Sequence, residues 1–396
     1  MLAVQGRGSG RAPHKDVQPA VTFHLMRILQ LAKYYWPHSG GMERVVQGLA
    51  EGLAERGHET EVVAVTGFGD PRPGQKRRAS VKRAWSFAPV GSQELAPAYI
   101  AAAWRRADVI HLHHPHSLAD VTYALRPSLA PLVVTQHADY PSAKYKLPGW
   151  YALKRAEAIV VPSKAHIALS RELKGFEDKV VVIPFGIDER RWELVPPPPP
   201  GNPPKALFIG RLVAWKGVDF LLRALEFVPD LRLDIVGDGP ERSRLKTLAD
   251  ALAVSPRVKF WGEYPDEDLP RRMADADFLV LPSVTTEEMF GMVLLEAMAA
   301  GRPVITTAVP SGVREVNVPG ETGLEVPIRD PEALGAAMRT LADDAALRER
   351  LGRAGRARVK ERFTVDRMID AHLDLYARVR GLQGGPRRSK ASKRTS

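Results

Sequence analysis

Residues 285–303, TTEEMFGMVLLEAMAAGRP, are the part of this sequence from which the fold and the site can be worked out. The segment holds two glutamates eight positions apart, Glu288 and Glu296, with Gly291 and an apolar run between them. We predict a loop up to Gly291 and a helix over residues 292–300. The glycine and the proline that follow would end this helix, one by left-handed capping and the other because it lacks an N–H.

The two glutamates would flank the N-terminus of this helix. The first lies just ahead of it and the second about one turn inside it, so a ligand bound there would lie between two carboxylates. An ionised carboxylate accepts hydrogen bonds and donates none, which suits the hydroxyl groups of a sugar. An ordinary helix with one solvated glutamate at each end would show the same spacing, so the surrounding sequence has to decide.

The composition indicates a globular protein without cysteine chemistry. At 396 residues the chain is long enough for two domains, each with its own core. Its 44% hydrophobic and 26% charged residues are typical of soluble proteins, and no apolar run is long enough to span a membrane. The absence of cysteine excludes disulfides, thiolate catalysis and zinc fingers. We therefore expect a cytoplasmic protein.

The net charge of +11 is concentrated at the two ends of the chain. We predict a disordered arm at residues 1–25 and a disordered basic tail at residues 383–396. Such segments can bind anionic lipid or nucleic acid, or nothing at all. A further basic group at residues 76–83 is either a solvated face or a contact for phosphates on an acceptor or a membrane.

Short β-branched runs alternate with helical segments in both halves of the chain, which indicates parallel sheets with helices on both faces. Predicted strands in the first half cover residues 26–32, 61–66, 108–112, 131–137, 158–162 and 179–184. Predicted strands in the second half cover residues 205–212, 231–237, 258–262, 277–281 and 303–307. Asp330 followed by Pro331 predicts the start of a later helix.

Five consecutive prolines at residues 196–200 interrupt this pattern and cannot join a sheet. We predict an α/β fold of two doubly wound, Rossmann-like domains that face each other across a cleft. The first domain would cover residues 26–195, the linker 196–204 and the second domain 205–362. Sheets of this kind bind ligands in the crevice at the carboxyl ends of their strands.

Other loops at strand ends in the second half suit the same ligand. Arg211 and Lys216, in the segment GRLVAWKG at residues 210–217, suit a diphosphate, one as a fork of donors and the other as a point charge. Two surface cations near a turn would give the same pattern. Gly237 and Gly239 form another turn, where the backbone can approach a nucleotide closely. Residues 310–315 form a further turn after the next strand.

Taken in this order, these segments resemble the family 4 retaining glycosyltransferases of the GT-B fold over residues 26–380. Residues 40–43, GGME, are similar to the family's first glycine loop, which lies near the donor phosphates. His137 occupies the position of the family's histidine near the transferred sugar. Residues 183–188, IPFGID, are similar to its interdomain signature, although Phe185 replaces the common asparagine. The resemblance also implies a last helix at residues 363–382 that crosses back to the first domain.

The resemblance implies roles for these residues. Glu296 would accept hydrogen bonds from the nucleotide ribose, and Glu288 from a hydroxyl of the donor sugar. Arg211 and Lys216 would hold the diphosphate and stabilise the charge that develops as it leaves. The expected catalytic residues are His137, Arg211, Lys216 and Glu288. The expected donor-binding residues are Gly40, Gly41, Gly210, Arg211, Lys216, Gly237, Gly239, Glu288, Phe290, Gly291, Met292, Val293 and Glu296.

Four histidines close together in sequence could suggest a metal site: His111, His113, His114 and His116. Alternation along a strand would place the first two on one face and the other two on the opposite face. We therefore interpret them as part of a strand that enters the cleft. We expect no metal and no cofactor, because the nucleotide diphosphate sugar is a substrate.

The hypothesis is a cytoplasmic hexosyltransferase that uses a UDP- or GDP-hexose with retention and without a metal. Its acceptor would be a lipid-linked glycan or a polysaccharide of the cell envelope, reached by peripheral contact with the inner face of an anionic membrane. Two alternatives stay open. A sugar phosphorylase or a nucleotide-sugar epimerase would have the same fold. A non-catalytic binder of nucleic acid or of an anionic surface would use the basic tails, but no helix-turn-helix, RNA-recognition or zinc signature supports it.

Overall fold

The computed structural model describes residues 25–38, 40–66, 78–90, 93–126, 130–140, 146–193 and 203–381. The predicted basic tail, most of the predicted N-terminal arm and the proline run of the predicted linker lie outside these ranges. So do Lys76 and Arg77 of the basic group at residues 76–83. The described residues contain two parallel sheets covered by helices, and one small antiparallel hairpin.

The first sheet has seven strands in the order β3-β2-β1-β6-β7-β8-β9. They are β1 (Arg27–Leu31), β2 (Glu59–Thr66), β3 (Ser80–Trp85), β6 (Val109–His114), β7 (Leu132–Gln136), β8 (Ala158–Val161) and β9 (Val180–Val182). The hairpin pairs β4 (Ala88–Val90) with β5 (Gln93–Leu95). The helices of this half are α1 (Gly41–Glu55), α2 (Ala98–Ala103), α3 (Ser117–Ala124), α4 (Lys146–Arg155), α5 (Lys164–Leu169) and α6 (Arg190–Glu193).

The second sheet has six strands in the order β12-β11-β10-β13-β14-β15. They are β10 (Lys205–Ile209), β11 (Arg232–Val236), β12 (Val258–Gly262), β13 (Phe278–Leu281), β14 (Val304–Thr307) and β15 (Gly323–Val326). Its helices are α7 (Val218–Ala224), α8 (Arg242–Ala251), α9 (Leu269–Ala274), α10 (Met292–Ala299), α11 (Val313–Val316), α12 (Pro331–Asp343) and α13 (Ala345–Arg362), and α14 (Val365–Val379) follows. All strands within each sheet are parallel, so their carboxyl ends lie at one edge.

The predicted α/β class with two doubly wound sheets is confirmed, and each predicted strand is found with ends that shift by a few residues. The strand predicted to reach residue 212 ends at Ile209, because the chain then turns at Gly210. The sequence did not predict β3, an edge strand in which exposed and mostly half-buried positions alternate, with Lys82 and Arg83 among them. It also missed β15, which is short and begins with a glycine. Neither strand contains the continuous apolar run by which buried parallel strands are recognised.

Helix α14 returns to the first domain and packs on α1. A Cβ on Gly52 of α1 would lie 2.0 Å from Cδ1 of Ile369, and one on Gly48 would lie 3.1 Å from Cγ2 of Val365. The two glycines are four residues apart and form one small-residue face that lets the helices approach closely. Apolar residues of both domains and of α14 share one buried cluster, which includes Ile28, Leu294 and Met368.

Candidate active site

The N-termini of α1 and α10 meet where the two domains face each other. Each helix follows a strand of its own sheet, so both begin at the carboxyl ends of strands. A Cβ on Gly41, the first residue of α1, would lie 3.7 Å from Cγ of Met292, the first residue of α10. Two helix N-termini, with their unpaired N–H groups and positive dipole ends, therefore face one region. Such a region favours an anionic group.

Helix α10 begins where the sequence predicts because Gly291 fixes its first turn. Gly291 has a φ of +77°, in the left-handed region, and a Cβ there would lie 2.8 Å from Cδ1 of Leu294. Phe290 just before it is buried. Gly301, with a φ of +71°, ends the helix by left-handed capping, and Ala299 is the last helical residue.

Glu296, in the second turn of α10, is buried against a cation from the other domain. The residue is 1% exposed, and its Oε1 accepts a hydrogen bond from Nη1 of Arg44. Its Oε2 is buried and has no hydrogen-bond partner within the described part of the chain. Burial raises the pKa of this carboxyl, and the Arg44 guanidinium opposes that rise. One carboxylate oxygen is therefore fixed, and the other can accept a hydrogen bond from a ligand.

Arg44 contacts a second acid of the second domain. Its Nη2 lies 2.7 Å from Oδ1 of Asp266, and Nη1 of Arg191 lies 2.6 Å from Oδ2 of the same carboxylate. Attraction to Glu296 raises the pKa of Arg44. The Nε of Arg44 is buried and has no partner among the residues described. We call these four side chains, Arg44, Glu296, Asp266 and Arg191, the interdomain ion-pair chain.

Glu288 and Lys216, which the sequence assigns to different parts of a donor, are paired with each other. Nζ of Lys216 lies 2.5 Å from Oε2 of Glu288, and Oγ of Ser283 donates to the same oxygen over 2.9 Å. The Lys216 and Glu288 side chains are 12% and 9% exposed. Lys216 also lies over the ring of Trp215, 4.7 Å from its centroid. A cation and a carboxylate thus lie side by side, close to the start of α10.

The glycines of the second-domain loops bring those loops together. Gly237 has a φ of +123°, and a Cβ there would lie 2.1 Å from the carbonyl oxygen of Gly210. A Cβ on Gly239 would lie 2.3 Å from the carbonyl oxygen of Leu212. The close backbone approach expected at these glycines is therefore made to a neighbouring loop of the protein. Arg211 is exposed within this pair of loops.

His137 lies directly after β7 and is packed among aromatic rings. Its ring stacks on Phe185 with centroids 5.0 Å apart, and Phe185 meets Phe290 edge to face at 5.4 Å. Nε2 of His137 lies 3.2 Å from Nδ1 of His113. Burial lowers the pKa of His137 to about 3, so the ring is neutral near pH 7. Phe185, to which the sequence assigns no role, connects the predicted sugar-side histidine to the start of α10.

The alternation predicted for the other histidines is present. The rings of His111 and His113 lie 4.4 Å apart on one side of β6, and Nδ1 of His111 lies 2.6 Å from the hydroxyl of Tyr376 in α14. On the other side, Nε2 of His114 lies 2.6 Å from Oδ1 of Asp120, and His116 contacts Tyr99. Across the described ranges, no group of three or more His, Asp or Glu side chains is placed to hold a metal ion.

The turn at residues 310–315 contacts the first domain. Glu315 accepts a hydrogen bond of 2.9 Å from the backbone N–H of Ala165, in the first turn of α5. A Cβ on Gly312 would lie 2.5 Å from the carbonyl oxygen of Met289 and 2.8 Å from Oγ of Ser163. This turn therefore joins the segment around Glu288 to the first domain.

Sequence reasoning missed Arg44, Asp266, Ser283 and Phe185. Arg44 gives a usable signal, because a cation in the first turn of a helix is unfavourable next to the positive end of the helix dipole. Such a residue indicates an acidic partner outside its own helix. Asp266 gives no such signal because its partners are far away in sequence. Ser283 gives none because its contact with Glu288 depends on the conformation of the loop between them.

Comparisons with known proteins agree on one family. The model described as "Glycosyltransferase Family 4" matches residues 39–191, and that described as "Glycosyl transferases group 1" matches residues 191–358. The chain is 30% identical to O-antigen chain mannosyltransferase C of Escherichia coli, over 89% of this chain and 98% of that protein. It is 29% identical to the D-rhamnosyltransferase WbpZ of Pseudomonas aeruginosa, over 86% and 92%.

Solved structures share the fold. Sucrose-phosphate synthase from Thermosynechococcus elongatus superposes with a TM-score of 0.75 at 24% identity, over 90% of this chain and all of that one. Anabaena HepE, in complex with UDP and glucose, superposes with a TM-score of 0.72 at 23% identity, over 89% and 99%. Within the described residues, no helix has the length and apolar character that crossing a membrane requires.

Proposed function

Because the chain belongs to the family 4 glycosyltransferases and has their GT-B fold, we propose that it transfers a hexose, with retention, from a UDP- or GDP-hexose. The proposed acceptor is a lipid-linked glycan or a polysaccharide of the cell envelope. Support for this acceptor comes from relatives named for O-antigen and lipopolysaccharide core synthesis. Glycosyl transfer itself follows from the family.

One observation supports the donor site above all others: the buried, unpaired Oε2 of Glu296. A buried carboxylate oxygen without a partner is costly, and a hydroxyl that donates to it removes that cost. A ribose supplies such a hydroxyl. The two helix N-termini nearby favour the diphosphate of the same nucleotide. A nucleoside diphosphate thus has the groups that this region lacks.

The donor's diphosphate would be held by Arg211 and Lys216, and a hydroxyl of its sugar by Glu288. Because Lys216 and Glu288 lie side by side as an ion pair, a donor bound next to the pair would contact both side chains. His137 is neutral near pH 7 and suits a hydrogen bond to the same sugar. These cations and the helix N-termini would stabilise the departing diphosphate without a metal.

In the proposed step, an acceptor hydroxyl oxygen bonds to the anomeric carbon as the bond from that carbon to the diphosphate oxygen breaks. The electron pair of the broken bond leaves with the diphosphate. The proton of the acceptor hydroxyl passes to the departing diphosphate on the same face of the sugar. This route retains the anomeric configuration and needs no nucleophile from the protein.

The first experiment is thermal unfolding with UDP, GDP, ADP and their hexose conjugates. A ligand that binds only the folded state adds about 2.7 kcal/mol of stability at a hundredfold excess over its dissociation constant. We expect a selective shift with one base, and its loss in Glu296→Ala. A transfer assay with EDTA should show unchanged turnover. Turnover that requires inorganic phosphate, or proceeds without an acceptor, would instead identify a phosphorylase or an epimerase.

We also propose that the first domain makes peripheral contact with an anionic membrane. The exposed large apolar side chains of the described residues lie in the first half of the chain, with the exception of Phe227. Those on or directly after α2, α3 and α4 are Trp104, Val121, Leu125, Leu147 and Trp150. Trp104 also lines a cavity of about 410 Å³, together with Arg27, Arg105, Arg106 and Arg126. Exposed aromatic and basic groups together suit an anionic bilayer surface.

Sedimentation with vesicles tests this contact. We expect binding to vesicles that contain phosphatidylglycerol and none to pure phosphatidylcholine. The triple variant Arg106→Ala, Leu125→Ser and Trp150→Ser should lose binding. The control is Phe227→Ser, which removes an apolar side chain of similar exposure from the second domain and should bind normally. Equal binding by all forms would place the contact elsewhere, and loss of binding on trimming the tails would place it there.

A further inference from the structure

Arg44 lies in the first turn of α1, in the first domain, but its hydrogen bonds are made to the second domain. A cation at this end of a helix is disfavoured by the helix dipole. Two carboxylates compensate for that cost, those of Glu296 and Asp266. The bond to Glu296 joins residues that are 252 positions apart in sequence.

Two buried atoms of this pair have no hydrogen-bond partner within the described ranges: Nε of Arg44 and Oε2 of Glu296. The first is a donor and the second is an acceptor, and they belong to side chains already joined by an ion pair. A hydroxyl group can satisfy both, because it accepts one hydrogen bond and donates another. Water or an alcohol of a ligand could fill this role, but a lone anion or cation could not.

We propose that Arg44 is a positioning residue for the donor: it orients Glu296 toward the ribose and offers its own Nε to the same hydroxyl. This inference rests on the proposed function. It has a structural consequence, because half of the ribose contact then belongs to the first domain. The donor site is complete only when α1 lies against α10.

Charge also links Arg44 to Glu296. The charged groups that face the Glu296 carboxyl are Arg44 from α1, Asp266 from the turn before α9 and Arg191 from α6. Burial and Asp266 raise the pKa of the carboxyl, while the two arginines lower it. Without Arg44 the carboxyl would take up a proton at a higher pH and would accept hydrogen bonds less well. Donor binding by an Arg44 variant should therefore weaken more at low pH than binding by the wild type.

The alternative is that Arg44 only holds the two domains together through Asp266. Arg191 provides a matched control, because it bonds the same carboxylate at a similar distance and makes no bond to Glu296. Arg191→Ala therefore loses an interdomain ion pair of the same kind, leaves Glu296 with its partner, and removes only the weaker of the two arginine effects on the Glu296 pKa. Arg44→Lys keeps a charge but removes the Nε–H of the guanidinium.

The test measures donor KM and kcat from pH 5.5 to 8.5 for Arg44→Ala, Arg44→Lys, Arg191→Ala and the wild type, with Tm as a check on folding. For Arg44→Ala we expect a donor KM about 10- to 100-fold higher, as for loss of a hydrogen bond to a charged group. Its kcat should change less, and the acid limb of kcat/KM should move to higher pH. Arg44→Lys should return the acid limb of kcat/KM to its wild-type position but restore only part of the affinity for the donor.

Equal effects of Arg44→Ala and Arg191→Ala, with no shift of the acid limb, would overturn the inference and leave a purely structural link. Should Arg44→Ala not fold, Arg44→Lys decides: a higher donor KM at an unchanged Tm supports the positioning role, and an unchanged donor KM overturns it. Calorimetry with UDP and GDP separates this result from the proposed function. A wild type that binds neither nucleotide contradicts the proposed function, whereas binding that Arg44→Ala leaves unchanged contradicts only the role of Arg44.

Discussion

Gly186 lies against the backbone of Thr364, so close that a Cβ on Gly186 would lie 2.2 Å from the Thr364 carbonyl oxygen. Hydrogen bonds on either side fix this contact: the N–H of Ile187 donates to Phe363 over 3.0 Å, and the N–H of Val365 donates to Ile187 over 2.7 Å. The glycine of the interdomain signature is therefore required by the approach of the segment that leads into α14.

We predict that Gly186→Ala lowers the free energy of unfolding by about 2–3 kcal/mol, because backbone atoms must move apart. Gly175→Ala is the control. Gly175 has a φ of +86°, and a Cβ added there would have no atom within 4 Å, so its cost is limited to about 1 kcal/mol of backbone strain. Urea unfolding of both variants measures the difference. Equal losses would show that the contact with Thr364 relaxes freely.

The pair formed by Lys216 and Glu288 should be strongly coupled because both side chains are largely buried. Removal of either partner leaves the other as a buried charge without its counter-charge. Removal of both leaves no unpaired charge. We predict a coupling free energy of about 1–3 kcal/mol in a double-mutant cycle with Lys216→Met and Glu288→Gln, measured by urea unfolding.

An exposed pair on α13 provides the control for this cycle. Arg353 and Glu349 are 69% and 67% exposed, and we expect no measurable coupling between them. Coupling of the same size in both pairs would contradict the assignment of Lys216 and Glu288 as a buried pair.

Buried histidines should make the fold sensitive to mild acid. Burial lowers the pKa of His372 to about 4, compared with about 6.5 in the unfolded chain. Between these values the unfolded chain binds a proton that the folded chain does not, so stability is present above pH 6.5 and falls as the pH drops toward 4. The slope is about 1.4 kcal/mol per pH unit for such a histidine.

We predict that His372→Gln flattens the dependence of unfolding free energy on pH between 6 and 5. Tyr376→Phe is the control, because it removes a neighbouring hydroxyl without removing a group that titrates in this range. Burial raises the pKa of Tyr376 well above 10. An unchanged slope in His372→Gln would show that this histidine is already protonated, or is solvated, in the folded protein.

The contribution of Asp330 as the N-cap of α12 can be tested with a single substitution. The Asp330 side chain accepts a hydrogen bond of 2.9 Å from the N–H of Ala333. Asp330→Ala should lower the free energy of unfolding by about 1 kcal/mol, as expected for loss of an N-cap. Glu332→Ala, which removes an exposed acid from the same turn, should cost only a few tenths of that. Thermal unfolding compares the two.

Local patterns explain why much of the fold could be predicted from the sequence. Buried parallel strands are continuous apolar runs, and Gly291 and Asp330 mark helix starts by their own chemistry. Strand β3 was not predicted because this edge strand lacks such an apolar run. Only part of the site could be predicted from the sequence. Glu288 and Glu296 are close together in sequence, whereas Arg44 is far from both. No local pattern identifies which arginine of the first domain reaches Glu296.

Helix α14 also fixes an order of events at the ribosome. The chain makes α1 early, but the helix that covers the glycine face of α1 is made only after the whole second sheet. Until then Gly48 and Gly52 have no helix against them, and Tyr376 has not reached His111. Domains generally fold in the order in which they are synthesised. Here the half that is translated first is the half that is completed last.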